Sequence, residues 1–175
     1  MKYPIGIQDF EKIREDGFVY VDKTALLYDL VTNGTIYFLG RPRRFGKSLL
    51  VSTLENYFLG KKELFKGLAI DSLEKEWKEH PVFHIDFNGN NFTSPFELKE
   101  AIETFISKSE EKYGKDPLAK TYGDRLSYVF EKAHEQTGQR VVVLIDEYDK
   151  PLLDVMNLDH YITDEEGNKV TIEDY

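Results

Sequence analysis

Cysteine is absent from the 175-residue chain, which excludes disulfides and thiolate-bound metals and fits a reducing compartment. Long apolar runs are absent too. No stretch approaches the roughly 20 apolar residues that a membrane span requires, and the opening MKYPIGIQDFEKIRED holds acids and no signal-peptide core. A cytoplasmic protein with no membrane partner is therefore expected. The histidines, His80, His84, His134 and His160, share no metal-ligand spacing, so zinc is not expected. Internal repeats and low-complexity linkers are also missing. What is present, 41% hydrophobic and 14% aromatic side chains, is too much for a disordered chain and enough for the core of about one domain.

Positive charge is scarce, and its distribution matters more than its total. The net charge is −9, but residues 1–67 carry 11 Lys/Arg against 8 Asp/Glu, whereas residues 68–175 carry 12 against 24. That balance excludes a general nucleic-acid surface and leaves nucleic acid an indirect partner only. Arg41, Arg43, Arg44 and Lys47 form the local exception, a tight cluster that suits a compact polyanion better than a duplex backbone.

The cluster lies in FLGRPRRFGKSLL, residues 38–50. Before it, TIYFL (35–39) is a continuous apolar run near glycines, the pattern of a strand buried on both faces. After it, KSLLVSTLENYFLG places Leu50, Leu54, Tyr57 and Phe58 at helical spacing and stops at Gly60. Upstream, GIQDFEKIREDG predicts a short helix, and Asp22 stands as N-cap for the helix KTALLYDLVTNG. Downstream, PVFHIDF (81–87) predicts a strand, and a helix opens at Ser94-Pro95. LSYVFEKAHEQTG predicts another helix stopped by Gly138, and RVVVLID (140–146) a central parallel strand. Trp77 with Leu64, Phe65 and Leu68 forms an expected core cluster. Strands alternating with helices imply an α/β domain with a mostly parallel sheet. The tail predicts an acidic hairpin from runs at 161–163 and 170–172. The expected organisation is a helical lead-in (1–34), a core (35–158) and the hairpin tail (159–175).

A phosphate-binding loop needs inward N–H groups, a helix N-terminus beneath the anion, a lysine for the outer phosphates and a hydroxyl for Mg²⁺. Gly46 permits close backbone approach, Lys47 supplies charge and Ser48 the hydroxyl, with a strand expected before and a helix after. The spacing is irregular: Arg41 stands where the first glycine of the usual loop belongs, and Gly40 lies one residue too early. Gly-Lys-Ser alone is equally an exposed helix start. The second signal is VVVLIDEYD, where Asp146 ends an apolar strand and Glu147 follows, the pattern that holds a metal's water shell and polarises an attacking water. Read alone, Asp-Glu there could cap the next helix. Asp86, at the end of its strand, reads as the cap of the Asn88–Asn91 turn.

Three stretches, GIQDFEKIREDGFVYVDKTALLYDLV, YFLGRPRRFGKSLLVSTLENYFLGKKELFKGLAI and VVVLIDEYDKPLLD, resemble the predicted AAA-ATPase-like family. The resemblance covers nearly the whole chain, and its signature is RPRRFGKS with YVDKT upstream. That family carries an arginine where Arg41 stands, so the irregular glycine is a family variant. The loop is also similar to that of archaeal-type ATPases, Gly-x-Arg-Arg-x-Gly-Lys-Thr. The resemblance implies a three-layer P-loop NTPase fold of the AAA-like, ASCE type, with ATP and Mg²⁺ as ligands. It implies that Lys47 binds the β and γ phosphates, that Ser48 and Asp146 hold Mg²⁺, and that Glu147 is the catalytic base. Arg43, Arg44, Phe45, Gly46, Lys47, Ser48 and Leu49 become the nucleotide-binding residues, and Tyr20 falls near the adenine. Whether Arg43 and Arg44 touch phosphate, pair with Asp146, Glu147 or Asp149, or stand solvated at the rim stays open.

Relatives of this kind typically run on to a further strand with a polar sensor and to a C-terminal nuclease-like domain of the PD-(D/E)XK type. The chain is therefore expected to be the N-terminal portion of such an ATPase, truncated after its Walker B strand, with oligomerisation open. Two rival expectations stand beside hydrolysis. One is a nucleotide-operated switch of low turnover, and the other a non-catalytic fragment whose acidic tail contacts protein.

Overall fold

Asp9 opens the first helix, α1 (Phe10–Glu15), by accepting the Lys12 N–H at 3.2 Å, and the helix buries Phe10 and Ile13. The computed structural model of the chain describes residues 1–40, 45–89, 92, 94–156, 161–163 and 169–171. They fall into two units, Met1–Val82 and Phe83–Tyr175.

In the first unit, Lys23 and not Asp22 holds the N-cap position of α2 (Thr24–Asn33), but Asp22, one residue earlier, still serves the helix start: its Oδ1 accepts the Thr24 N–H at 2.8 Å and the Thr24 hydroxyl at 2.7 Å. The other carboxylate oxygen reaches across the sequence to the Ala69 N–H (2.7 Å), which opens α4 (Ala69–Leu73). Thr24 Oγ1 in turn accepts the Ile70 N–H at 3.1 Å, so one acid and one hydroxyl clasp α2 to α4. Burial pushes the Asp22 carboxyl up, but the bonds from Thr24 and Ala69 outweigh it and hold its pKa below the usual value. Between these helices runs α3 (Lys47–Phe58), followed by a 3₁₀ turn at Lys62–Phe65. The core is Phe10, Leu27, Phe65 and Ile70, with Leu49, Leu50, Leu54 and Tyr57 of α3 and Trp77 packed on it. Phe65 lies 4.8 Å from the Phe10 ring and 5.2 Å from Trp77, so the predicted tryptophan cluster is present.

The expected buried strand at 35–39 is not formed. Ile36 is 92% exposed and Phe38 75%, and no strand is assigned there. An extended apolar segment keeps strand geometry only when neighbours complete its hydrogen-bond ladder, and neither sheet among the described residues includes it. Its aromatic is captured locally. The Tyr37 hydroxyl donates to Leu30 O at 2.7 Å near the end of α2, and its ring crosses Gly34 so closely that a Cβ there would stand 2.3 Å from the phenol oxygen. Gly34 is thus required by close approach.

In the second unit, β1 (Val82–Asp86) and β2 (Val142–Asp146) form a parallel two-stranded sheet. Helices α5 (Pro95–Tyr113) and α6 (Tyr122–Thr137) pack together, and Phe83 is buried against Tyr113, Val129 and Ala133. The predicted Ser94-Pro95 start is a full capping box, with the Ser94 N–H donating to Glu97 Oε2 at 3.0 Å. The central strand is less buried than its apolar run suggests: Val143 and Ile145 are 43% and 49% exposed. Alternation puts them on one face, opposite the half-buried Val142 and Leu144. Helix α7 (Lys150–Met156) follows. The tail hairpin pairs β3 (Tyr161–Thr163) with β4 (Lys169–Thr171) in antiparallel register, Ile162 opposite Val170, one residue earlier on the second strand than predicted. The sheet expected to fill three layers is, among the described residues, this small parallel pair beside helices.

Candidate nucleotide site

Gly46 begins the basic side of the candidate site. Its backbone is left-handed (φ 73, ψ 27), a conformation that strains any L side chain, and it turns the chain directly into α3 with Lys47 and Ser48 as the first helical residues. The helix starts without a side-chain cap. The first N–H groups of a helix have no intrahelical acceptor, and the helix dipole adds partial positive charge at the same end. Lys47 and Ser48 are half-buried there, while Phe45 is 64% exposed. Leu49 turns its side chain to the core, and its carbonyl accepts the Thr53 hydroxyl at 2.7 Å. Arg43 and Arg44, with Arg41 and Pro42, lie outside the described residues.

The acidic side is built at the end of β2. Asp146 is 6% exposed, and its Oδ1 accepts the Glu147 N–H at 3.0 Å. Glu147 is half-buried and left-handed at φ 51. Its carbonyl accepts the Lys150 N–H at 2.9 Å, leading into α7. That helix is braced in turn. Asp154 Oδ2 accepts Lys150 Nζ at 2.5 Å and the Phe92 N–H at 3.1 Å. Asp149 Oδ1 is buried with no described hydrogen-bond partner. Asp86 closes its own turn by accepting the Asn88 N–H at 2.8 Å, as its position at a strand end predicts.

The structure therefore groups Phe45, Gly46, Lys47, Ser48 and Leu49 at the start of α3 in the first unit, and Asp146 with Glu147 at the end of β2 in the second. Tyr20, expected near adenine, packs edge-on against Phe10 at 5.2 Å with its hydroxyl beside Thr53, and burial raises its pKa. The sequence reading missed a polar seam along α3. Ser52 Oγ accepts the Phe10 N–H at 3.0 Å, and Thr53 and Asn56 are buried. The signal was available, because these polar residues sit among Leu49, Leu50, Leu54 and Tyr57 at the spacing that faces the core.

Fold and site together define an α/β protein with a Gly-Lys-Ser helix start and a buried acid ending a parallel strand. The family model described as "Predicted AAA-ATPase" matches residues 4–170, and the chain belongs to that family. Among curated proteins it is 44% identical over 154 residues to "Uncharacterized protein in vnfD 5'region" of Azotobacter chroococcum mcd 1. That alignment covers 87% of this chain and 30% of the relative, so the chain spans about a third of the relative's length. No solved structure matches. No helix among the described residues is long and apolar enough to cross a membrane.

Proposed function

We propose that this chain binds ATP with Mg²⁺ and hydrolyses it. The observation that carries the reading is the left-handed Gly46 opening α3 with Lys47 and Ser48 at its mouth, in a chain of the predicted AAA-ATPase family. Backbone N–H groups and the helix dipole at this end favour the phosphates, and Lys47 adds charge for the outer ones. The metal fits the available donors: a serine hydroxyl and a carboxylate are the hard oxygen ligands Mg²⁺ prefers, and Asp146 has one oxygen engaged by the Glu147 N–H. Ser48 and Asp146 would hold it, and when bound it neutralises charge developing on the transferred phosphoryl group. Glu147 would orient the attacking water and take up its proton, for in-line displacement at the γ-phosphorus. Arg43 and Arg44 are assigned to the phosphate rim by their place in the loop.

Titration with a fluorescent ATP analogue, followed by phosphate release, tests the reading. The wild-type chain is expected to bind and release phosphate, and Lys47→Ala to lose binding. Glu147→Gln is expected to bind normally and to slow release by about 10²–10⁴-fold, the range for loss of a general base. Lys47→Ala binding as tightly as wild type would remove the phosphate-loop assignment. Normal binding without release in the wild type would favour a nucleotide-operated switch.

A further inference from the structure

We propose that the polar seam of α3 positions the phosphate end of that helix, gripped by the segment from α1 to Tyr20; this rests on the nucleotide-binding reading above. Phe10 is the first residue of α1, so its N–H is one of that helix's orphan donors. Ser52 gives it an acceptor at 3.0 Å and thereby fixes the height of α1 along α3. Thr53 donates to Leu49 O at 2.7 Å and lies beside the Tyr20 hydroxyl. Asn56 Nδ2 donates to Ser52 O at 2.8 Å, completing the seam.

The choice of polar residues is the informative point. The surrounding contacts, Phe10 and Phe65 against Leu49, Leu50 and Leu54, are apolar, and apolar contact is non-directional. It would let α3 rotate or slide by small amounts at little cost. A hydrogen bond sets one rotation and one height, because it weakens steeply with misalignment. Ser52 follows Ser48 by four residues, about 6 Å along the axis on the same face of the helix. What fixes Ser52 therefore fixes Ser48. The gripping segment is itself pinned beyond α3. Arg14 Nε and Nη2 donate to Leu64 O and Lys66 O at 2.6 and 2.8 Å, and Lys61 pairs with Glu11 at 2.8 Å. Ser52 and Thr53 act through α3 and touch no nucleotide themselves. They are positioning residues.

The test uses the full chain with Ser52→Ala, Ser52→Thr and Tyr20→Phe. Trp77, the only tryptophan, sits in the cluster packed against α3 and reports folding of the first unit. Each variant is assayed where its Trp77 emission matches wild type, so loss of fold does not enter the affinity. Ser52→Ala is expected to weaken a fluorescent ATP analogue by about fivefold to tenfold, the worth of one hydrogen bond, and Ser52→Thr, which keeps the hydroxyl, to restore it. A folded Ser52→Ala with wild-type affinity overturns the proposal. Should that variant fail to fold, Tyr20→Phe, which removes only the hydroxyl beside Thr53, is read in the same way. If the wild-type chain binds no ATP, the nucleotide reading fails by itself. Hydrogen exchange over residues 47–51 then decides the seam: faster exchange in Ser52→Ala, restored in Ser52→Thr, supports it, and unchanged exchange overturns it.

Discussion

Glu147 carries a side chain in a backbone conformation that favours glycine. At φ 51 it is one of two such non-glycine residues among those described, the other being Trp77 at φ 43. A left-handed non-glycine residue costs on the order of 1–3 kcal/mol and persists where surroundings over-determine it. Here the surroundings are the Asp146 carboxylate on its N–H and the Lys150 N–H on its carbonyl. A position tuned only for stability would favour glycine, and the glutamate there agrees with the proposed role of its carboxylate. Comparing Glu147→Gly with Glu147→Ala isolates the backbone, since both remove the carboxylate and only glycine relieves the strain. Glu147→Gly is expected to exceed Glu147→Ala in urea-unfolding stability by about 1 kcal/mol, with phosphate release lost in both. Equal stability of the two variants would show that the turn is unstrained.

Between elements, the strongest polar link joins α5 to α6. Arg125 donates from Nη1 to Glu103 at 2.7 Å, and from Nε and Nη2 to Glu110 at 2.8 Å each. Arg125 and Glu110 are almost wholly buried, with 11% and 6% side-chain exposure. Hydrogen bonds from Arg125 hold both carboxyls below the usual glutamate pKa, and the two acids raise the guanidinium in turn. The folded pKa values lie below the unfolded value of about 4.3, so the network's contribution is complete above that pH. It is lost as pH falls through the depressed folded values. Urea unfolding followed by circular dichroism is expected to show stability falling from about pH 4 downward. Arg125→Met should lower stability at pH 7 by roughly 3 kcal/mol, because it removes both short hydrogen bonds to buried Glu110 and leaves it the exposed Lys115 at 3.8 Å. It should also flatten the acid dependence, and a variant retaining the full acid slope would assign that slope to other carboxylates. This network was invisible in sequence, where Glu103, Glu110 and Arg125 are 22 and 15 residues apart. Local signals were legible: Ser94-Pro95, Asp22, Asp86, Gly46 and the helical spacing of α3 each act within a few residues. Burial of 35–39 and of Val143 and Ile145 depends on which elements come to lie beside them, and an apolar run records only the capacity to be covered.

For the whole molecule, that uncovered apolar surface is the property with the clearest consequence. Ile36, Phe38, Val143 and Ile145 are all exposed, and among the described residues the parallel sheet has only two strands, each with an edge open to pairing. Solvated apolar side chains on a strand face bind apolar dyes and promote association, which the net charge of −9 opposes by repulsion between copies. Salt screens that repulsion, shortening its range from about 30 Å at 0.01 M to about 8 Å at 0.15 M, and leaves the apolar attraction intact. The chain is therefore expected to sediment as a smaller species at low salt than at high salt, and to enhance 8-anilinonaphthalene-1-sulfonate fluorescence while folded. Replacing Val143 and Ile145 together by threonine keeps β-branching, and with it strand propensity, while adding a hydroxyl to the exposed face. The double variant should keep its circular dichroism spectrum, bind less dye and shift less with salt. Unchanged dye binding would place the associating surface elsewhere, with the Ile36–Leu39 segment the next to be substituted.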